Sequence, residues 1–274
     1  MTAAAPRLVV LTNGNYFARL ILEELFRSHG RQIESVVLIS GDYKGRTGLA
    51  ALRWLLPATT FPYLVYKIAQ IVVFALARRL RPSKVFDVAG LAAAHGVPVR
   101  RFRSIRDEEA IRAVEELRPD LVVSVSCPQR VGERLLRASR FGGINIHSSL
   151  LPRYAGLAPY YWVLAEGQPS TGTTVHYMTK NFDEGNILGQ VEVPIVPKMS
   201  AFVLFRELAL AGGPLLRKAV ELAVAGDPGA PQIKELYSYR SHPDTRSYRM
   251  LRGRGHRLIR LGEIWRALVV GSPH

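Results

Sequence analysis

The chain has 274 residues, 48% hydrophobic and 22% charged, with 37 Lys+Arg against 22 Asp+Glu and a net charge of +15. That length and balance suit one large domain with a full core, and they exclude a disordered or low-complexity chain. The single cysteine, Cys127, excludes an intrachain disulfide framework and a cysteine zinc cluster and fits a reducing, cytoplasmic setting, while the positive charge favours acidic partners: nucleic acid, anionic lipid or phosphorylated small molecules.

Met1 to Arg7 leads into a short apolar run, Leu8 to Leu11. The run is too short for a secretory core and predicts a buried strand, Leu8 to Thr12. Asn13-Gly14-Asn15 follows as a turn. Phe17, Leu20, Ile21, Leu25 and Phe26 then recur at helical spacing. Ser35 to Ser40 reads as a second buried strand. An apolar insert occupies about residues 43 to 85. Its core, Leu49 to Leu80, is interrupted by Arg53, Pro57, Pro62 and Lys67. No part of it reaches the ~18 to 20 uncharged residues that spanning a bilayer requires. Helices packed on the body are expected there, with a membrane-interface helix as the alternative.

A helix is expected near Val85 to His95, a short strand at Val97 to Arg100, and a helix over Asp107 to Leu117 with acids in its first turn. Asp120 to Ser126 is another unbroken apolar strand. Continuous rather than alternating apolar strands indicate a parallel sheet covered on both faces. With strand and helix alternating, the fold class is α/β: a Rossmann-like, doubly wound, mostly parallel sheet with a helical insert. Ligands of such sheets sit beyond the carboxyl ends of the strands. That directs attention to the loops after Leu11, Ser40, Ser126 and Ile146.

Beyond Gly142 the chain is dense in Pro and Gly as far as Gly172. Tyr160-Tyr161 and Trp162 open a helix after Pro159. A long helix over about Ala201 to Ala225 follows, then a sharp turn at Gly226 to Pro231. These signals divide the chain into residues 1–226 and a basic C-terminal extension, 227–274. Eight Arg lie between Arg240 and Arg266, against only Asp244 and Glu263.

Asn145 and His147 stand two apart on a short strand, so both side chains point to one face. Asp183 precedes Gly185 in a loop able to fold back over a strand end. An Asn–His–Asp set suits acyl transfer. A His relays protons, an Asn amide donates to a developing oxyanion, and a carboxylate fixes the His tautomer or orders a water. No nucleophile elbow, P-loop or metal-ligand spacing accompanies them. Direct attack by an external amine therefore fits better than a covalent enzyme intermediate. A polar loop with a structural Asn and a satisfied, buried His is the bland alternative.

Three separated blocks carry a resemblance: Asn145-Ile-His147-Ser-Ser149-Leu-Leu-Pro152-Arg-Tyr154-Ala-Gly156, then Gly172-Thr-Thr174-Val-His176-Tyr-Met, then Asp183-Glu-Gly185-Asn-Ile187. In order and spacing they resemble the folate-dependent formyltransferases, most strongly over residues 120–196. The resemblance implies 10-formyltetrahydrofolate as co-substrate, no metal, and Asn145, His147 and Asp183 as the catalytic set. It further implies folate contacts at Ser126, Cys127, Pro128, Leu151, Pro152, Tyr154 and Gly185. Acceptor contacts fall at Asn13, Gly14, Asn15, Tyr16 and Arg153. Cys127 is expected to pack rather than react, and His176 to be structural. Ser148 departs from the Pro or Gly common in the family.

The motifs name the donor chemistry and leave the acceptor open. An amino-sugar nucleotide or a similar small amine is favoured, because a diphosphate suits the positive field. A methionyl-tRNA formyltransferase or a formyltetrahydrofolate hydrolase is the alternative within enzymes. Outside enzymes, a basic RNA- or membrane-binding protein would use the same fold. A homodimer through the insert or the extension is a further expectation.

Overall fold

Five strands, all but the Val-Arg-Arg-Phe edge strand mainly apolar, form the parallel part of one seven-stranded sheet. The structure is a computed structural model that describes residues 5–41, 46–81 and 84–269. The start of the insert at 43–45, part of its end at 82–83 and the tail at 270–274 lie outside the described residues. In chain order the elements are β1 (Leu8–Thr12), α1 (Tyr16–His29), β2 (Ile33–Ile39), α2 (Gly48–Ala58), α3 (Phe61–Leu80), α4 (Val88–Ala94), β3 (Val99–Phe102), α5 (Glu108–Glu115), β4 (Leu121–Val125) and α6 (Glu133–Arg137). There follow β5 (Gly143–His147), β6 (Ala155–Gly156), α7 (Pro159–Glu166), β7 (Ser170–Tyr177), β8 (Ile187–Pro194), α8 (Ala201–Val224), β9 (Tyr239–Arg240), α9 (Thr245–Gly253) and α10 (Leu261–Val269).

The order in the large sheet is β3-β2-β1-β4-β5-β7-β8. The chain winds outward from β1 to β3 and then crosses back to β4 and β5. This reversal between β1 and β4 is the switch point of a doubly wound sheet. β7 and β8 add antiparallel to β5 and to each other. The fold is thus the expected α/β class, mostly parallel.

Every residue of β1 and of β4 is buried, because helices cover both faces. Leu8 and Val10 join the larger core with Phe17, Leu22 and Phe202 from α1 and α8. Val9 and Leu11, pointing the other way, join Ala110, Val114 and Leu135 from α5 and α6.

Three details depart from the pattern read in the sequence. The strand expected from Val97 begins at Val99, because the Val97 N–H donates to Ala92 O and closes α4. The helix expected from Val85 begins at Val88, where the Asp87 carboxylate accepts from Gly90 N at 2.8 Å and caps it. β8 went unread: it is the sheet's edge, mostly half-buried or exposed, so its apolar signal is weak.

Of the two insert helices, α3 buries one face, with Tyr63, Leu64, Tyr66, Gln70 and Ala77 inward. α2 buries no residue, so only one of the pair is packed as expected. The basic extension folds back on the body: Leu251, Leu258 and Ala267 enter the same core as Phe202. β9 pairs in parallel with β6.

Candidate active site

β4 and β5 end side by side, and a cavity of about 400 Å³ opens beyond their carboxyl ends. Ser124 and Asn145 are register partners on these strands. Their side chains meet there: Ser124 Oγ donates to Asn145 Oδ1 at 2.8 Å. That bond fixes the amide so that Nδ2 is the donor end. Across the antiparallel register Asn145 pairs with His176, and Asn145 Nδ2 lies 3.2 Å from His176 Nε2. The other ring nitrogen, His176 Nδ1, donates to Tyr177 O at 2.8 Å. An amide nitrogen carries two hydrogens, so one Asn145 N–H remains to face the cavity.

His147, the last residue of β5, is also buried. Its Nε2 lies 2.9 Å from Tyr154 O. A carbonyl only accepts, so Nε2 carries a proton and Nδ1 is the nitrogen that exchanges one. Nδ1 stands 3.6 Å from Asp183 Oδ1, and His176 Nε2 stands 3.7 Å from the same oxygen. The second carboxylate oxygen accepts from Gly156 N at 2.9 Å. Burial alone would raise the Asp183 carboxyl. The facing imidazoles of His147 and His176, with the Gly156 N–H, outweigh it and hold the group well below the usual carboxylate range.

The Asp183 loop is possible because two glycines stand where no side chain fits. A Cβ on Gly185 would come 1.9 Å from Tyr177 O. Gly156, at φ +96°, brings its N–H to Asp183 while a Cβ there would lie 2.4 Å from Arg240 O. Asp183 itself sits in the left-handed region at φ +57°. Gln232 Nε2 donates to Asp183 O at 2.8 Å, which anchors the turn.

The expected catalytic three, Asn145, His147 and Asp183, share the cavity wall with Ser126, Cys127 and Pro128. Ser126 has φ +53°, and the loop it begins is pinned by buried Gln129. Gln129 Oε1 accepts from Ser104 Oγ and Ile105 N at 2.9 and 3.0 Å. Burial pushes the Cys127 thiol up to about 11, in keeping with a packing role.

The remaining expected contacts stand off the wall. Leu151 is buried, its N–H bonded to Thr174 Oγ1, and Pro152 lends its carbonyl to Ser238 N. Gly185 closes on Tyr177. Tyr154 turns its hydroxyl to Glu166 Oε2 at 2.8 Å and serves the site through its carbonyl. On the acceptor side, Asn15 caps α1 by accepting from Ala18 N, Asn13 Oδ1 accepts from Asn15 N, and Gly14 O accepts from Val88 N. Tyr16 is buried and stacks on Phe74 at 4.2 Å. Arg153 is exposed outside the cavity.

Other wall residues went unread in the sequence. Tyr160 stacks on Phe205 at 4.3 Å, giving an apolar side. Tyr239, Ser241 and His242 come from the basic extension. Their signal was the polar and aromatic run Tyr237 to His242, hidden among arginines. Trp162 Nε1 donates to Ser241 O at 2.9 Å and holds that run in place. Among the described residues, no group of three or more His, Cys, Asp or Glu is placed to hold a metal ion.

A doubly wound sheet with an amide, two imidazoles and a carboxylate lining a cavity beyond the carboxyl ends of its strands defines an α/β protein with a candidate ligand site where this fold class binds ligands. The chain belongs to the formyl transferase family, whose model matches residues 66–220. Over 132 residues it is 41% identical to the methionyl-tRNA formyltransferases of Bacillus cereus and Bacillus mycoides. That stretch is 48% of this chain and 42% of each relative, so less than half of the relatives' length is matched. An N-formyltransferase from Helicobacter canadensis, solved in complex with folinic acid and dTDP-3-aminofucose, superposes with a TM-score of 0.58 at 17% identity, over 88% of this chain and 72% of that one. A phosphoribosylglycinamide formyltransferase from Anaplasma phagocytophilum gives 0.57 at 22% identity, over 86% and 99%. These structural likenesses bear on the fold.

Proposed function

We propose that the protein is an N-formyltransferase that moves the formyl group of 10-formyltetrahydrofolate to a primary amine, with an amino-sugar nucleotide as the favoured acceptor. The observation that carries this reading is the single array Asn145–His176–Asp183–His147 around one cavity at the ends of β4 and β5. The neutral amine nitrogen attacks the formyl carbon. A C–N bond forms and the carbonyl oxygen takes the electron pair. The spare Asn145 N–H and a protonated His147 Nδ1 stabilise that oxyanion. The bond from the carbon to the folate nitrogen then breaks. The proton lost by the amine passes, through His147 or a water held by Asp183, to the departing nitrogen. Ser126 to Pro128, which line the cavity, would hold the folate ring through backbone groups.

For the acceptor, support comes from the rest of the cavity lining. Tyr239, Phe182, Tyr160 and Phe205 supply aromatic rings, and Arg130, in the loop after β4, supplies a positive charge. This set suits a base, a sugar and a phosphate. The Helicobacter protein, with the same fold, was solved with such a nucleotide sugar. A methionyl-tRNA acceptor is the second reading, and the 41% identity to those enzymes favours it.

The test is to incubate the purified protein with 10-formyltetrahydrofolate and separate amines, following release of tetrahydrofolate. The amines are amino-sugar nucleotides, glycinamide ribonucleotide and charged initiator tRNA, with a no-amine control. Turnover with an amino-sugar nucleotide supports the proposal. Turnover only with the tRNA moves it to the second reading. Equal release without amine marks a hydrolase. No folate binding at all overturns formyl transfer.

A further inference from the structure

Helix α3 is apolar on its outward face as well as its inward one. A helix on the surface of a water-soluble domain turns apolar side chains inward and polar ones outward. Here the inward face carries Tyr63, Leu64, Tyr66, Gln70 and Ala77, and Tyr63 reaches the Tyr160 hydroxyl at 2.9 Å. The outward face carries Phe61, Val65, Ile68, Val72 and Leu76. Their spacing of four, three, four and four residues lines them along one stripe. Ile71 and Leu80 widen it, each about as exposed as Phe61, which is 70% exposed. Single exposed apolar residues need no explanation, but a continuous stripe does.

Exposed apolar side chains recur on two neighbouring helices. The preceding α2 is almost wholly apolar and buries nothing, with Leu49 and Leu56 exposed. In α10 the charged Glu263 is buried, bonded to Ser200 Oγ at 2.7 Å, while Leu261, Trp265 and Val269 face outward at four-residue spacing. α10 ends beside the end of α3, where Arg81 and Lys84 donate to Leu268 O and Val269 O.

Charge identifies what covers these faces. From residue 43 to residue 86 the sequence holds eight Lys and Arg and no Asp or Glu, and with Asp87 paired to Arg78 at 2.7 Å the apolar surface sits in a frame of strong net positive charge. Arg53 and Arg79 are exposed within it. A second copy would bring an identical basic frame against this one, whereas an anionic bilayer complements it. α3 is long and apolar enough to cross a membrane by length and composition. Its inward face, however, is packed on protein along its length, from Tyr63 to Ala77. The helix therefore lies on a bilayer rather than through it.

We propose that α2, α3 and α10 form a membrane-docking surface for anionic lipid bilayers, with the outward apolar faces immersed at the headgroup boundary and the arginines against the phosphates. Trp265 suits that boundary, where indole rings concentrate. The hairpin of α2 and α3 also touches the cavity rim. Trp54 packs edge-on against His242 at 5.5 Å, and Thr60 N donates to Pro243 O at 3.0 Å.

The test is co-sedimentation of the full chain with phosphatidylcholine vesicles, with and without phosphatidylglycerol. The wild type is expected to bind the phosphatidylglycerol vesicles at least about tenfold more tightly than the neutral ones, less so as salt rises. Ile68→Ser with Val72→Ser should weaken that binding about 100-fold or more. Its melting temperature should stay at the wild-type value, since both side chains are exposed. Arg53→Glu with Arg79→Glu should abolish the preference for anionic lipid. No binding to either vesicle, or equal binding to both, overturns the proposal. So does a dimer that forms without lipid and that the Ile68/Val72 variant dissociates. Vesicle binding needs no formyl transfer, so this proposal and the enzymatic one fail separately.

Discussion

His147 is held between a carbonyl and a carboxylate: Nε2 lies 2.9 Å from Tyr154 O, and Nδ1 lies 3.6 Å from Asp183 Oδ1. The carbonyl sets the tautomer, and the carboxylate stabilises the charged ring when Nδ1 takes a proton. His147→Ala removes that proton exchange while leaving Ser126 to Pro128 in place. Turnover should fall about 100-fold or more, with tetrahydrofolate binding changed little. Steady-state kinetics beside a folate titration checks this, and a variant that keeps its rate removes His147 from the mechanism.

His176 is expected to matter as well. The sequence alone favours a structural role, yet the ring faces both Asn145 Nδ2 and Asp183 Oδ1. His176→Ala leaves the Asn145 amide without its partner and takes one imidazole from the carboxylate. A loss of about tenfold in kcat, with KM for folate unchanged, is the expected outcome. Unchanged kcat would return His176 to a purely structural role.

The parallel strands and the clustering of Asn145, His147 and Asp183 were legible because each has a strong local signature. Unbroken runs such as Leu8 to Thr12 become buried strands, and the period-two spacing of Asn145 and His147 puts both at the cavity. The edge strand Ile187–Pro194 carries no such signature, being half in water. The acceptor contacts expected in the turn after β1 lie apart from the cavity wall, where the turn has a structural task of its own. Asn13-Gly14-Asn15 is a polar turn because it must cap α1, and composition does not separate capping from binding. Tyr239 to His242 reach the site only through the pairing of β9 with β6, a contact some 84 residues long in sequence between Tyr154 N and Ser238 Oγ.

Cys127 is expected to be inert. Burial raises its thiol to about 11, so at about pH 8 the thiolate fraction is roughly 100-fold below that of an ordinary cysteine. Iodoacetamide should label the native protein about that much more slowly than the urea-unfolded chain. Equal rates would show an activated thiol in the cavity.

Gly156 joins the extension to the Asp183 loop. Its N–H serves Asp183, and its α-carbon lies against Arg240 O. Gly156→Ala adds a methyl group where the nearest atom is backbone, at a positive φ. A loss of about 2–3 kcal/mol in unfolding free energy is expected, together with reduced turnover as Asp183 shifts. Chemical denaturation measures the first and the tetrahydrofolate release assay the second. A variant of wild-type stability would show that β6 and β9 are not held this closely.

Asp183 gives the sharpest dependence on acid. Its folded carboxyl lies below the ordinary carboxylate value near 3.9 because two imidazoles and the Gly156 N–H outweigh its burial. A group depressed on folding adds stability that is fully present above its unfolded pKa and is lost as pH falls toward the folded value. The wild type should therefore lose on the order of 2 kcal/mol from this residue as pH drops below about 4. Asp183→Asn carries no such titration. Its stability should be lower than wild type at neutral pH, and the gap should close in acid. Unfolding measured for both proteins across this pH range decides it: parallel curves would mean that the carboxylate is not held by the imidazoles. The same variant should lose turnover far more than folate binding, since Asp183 faces His147 while the loop proposed for folate begins on β4.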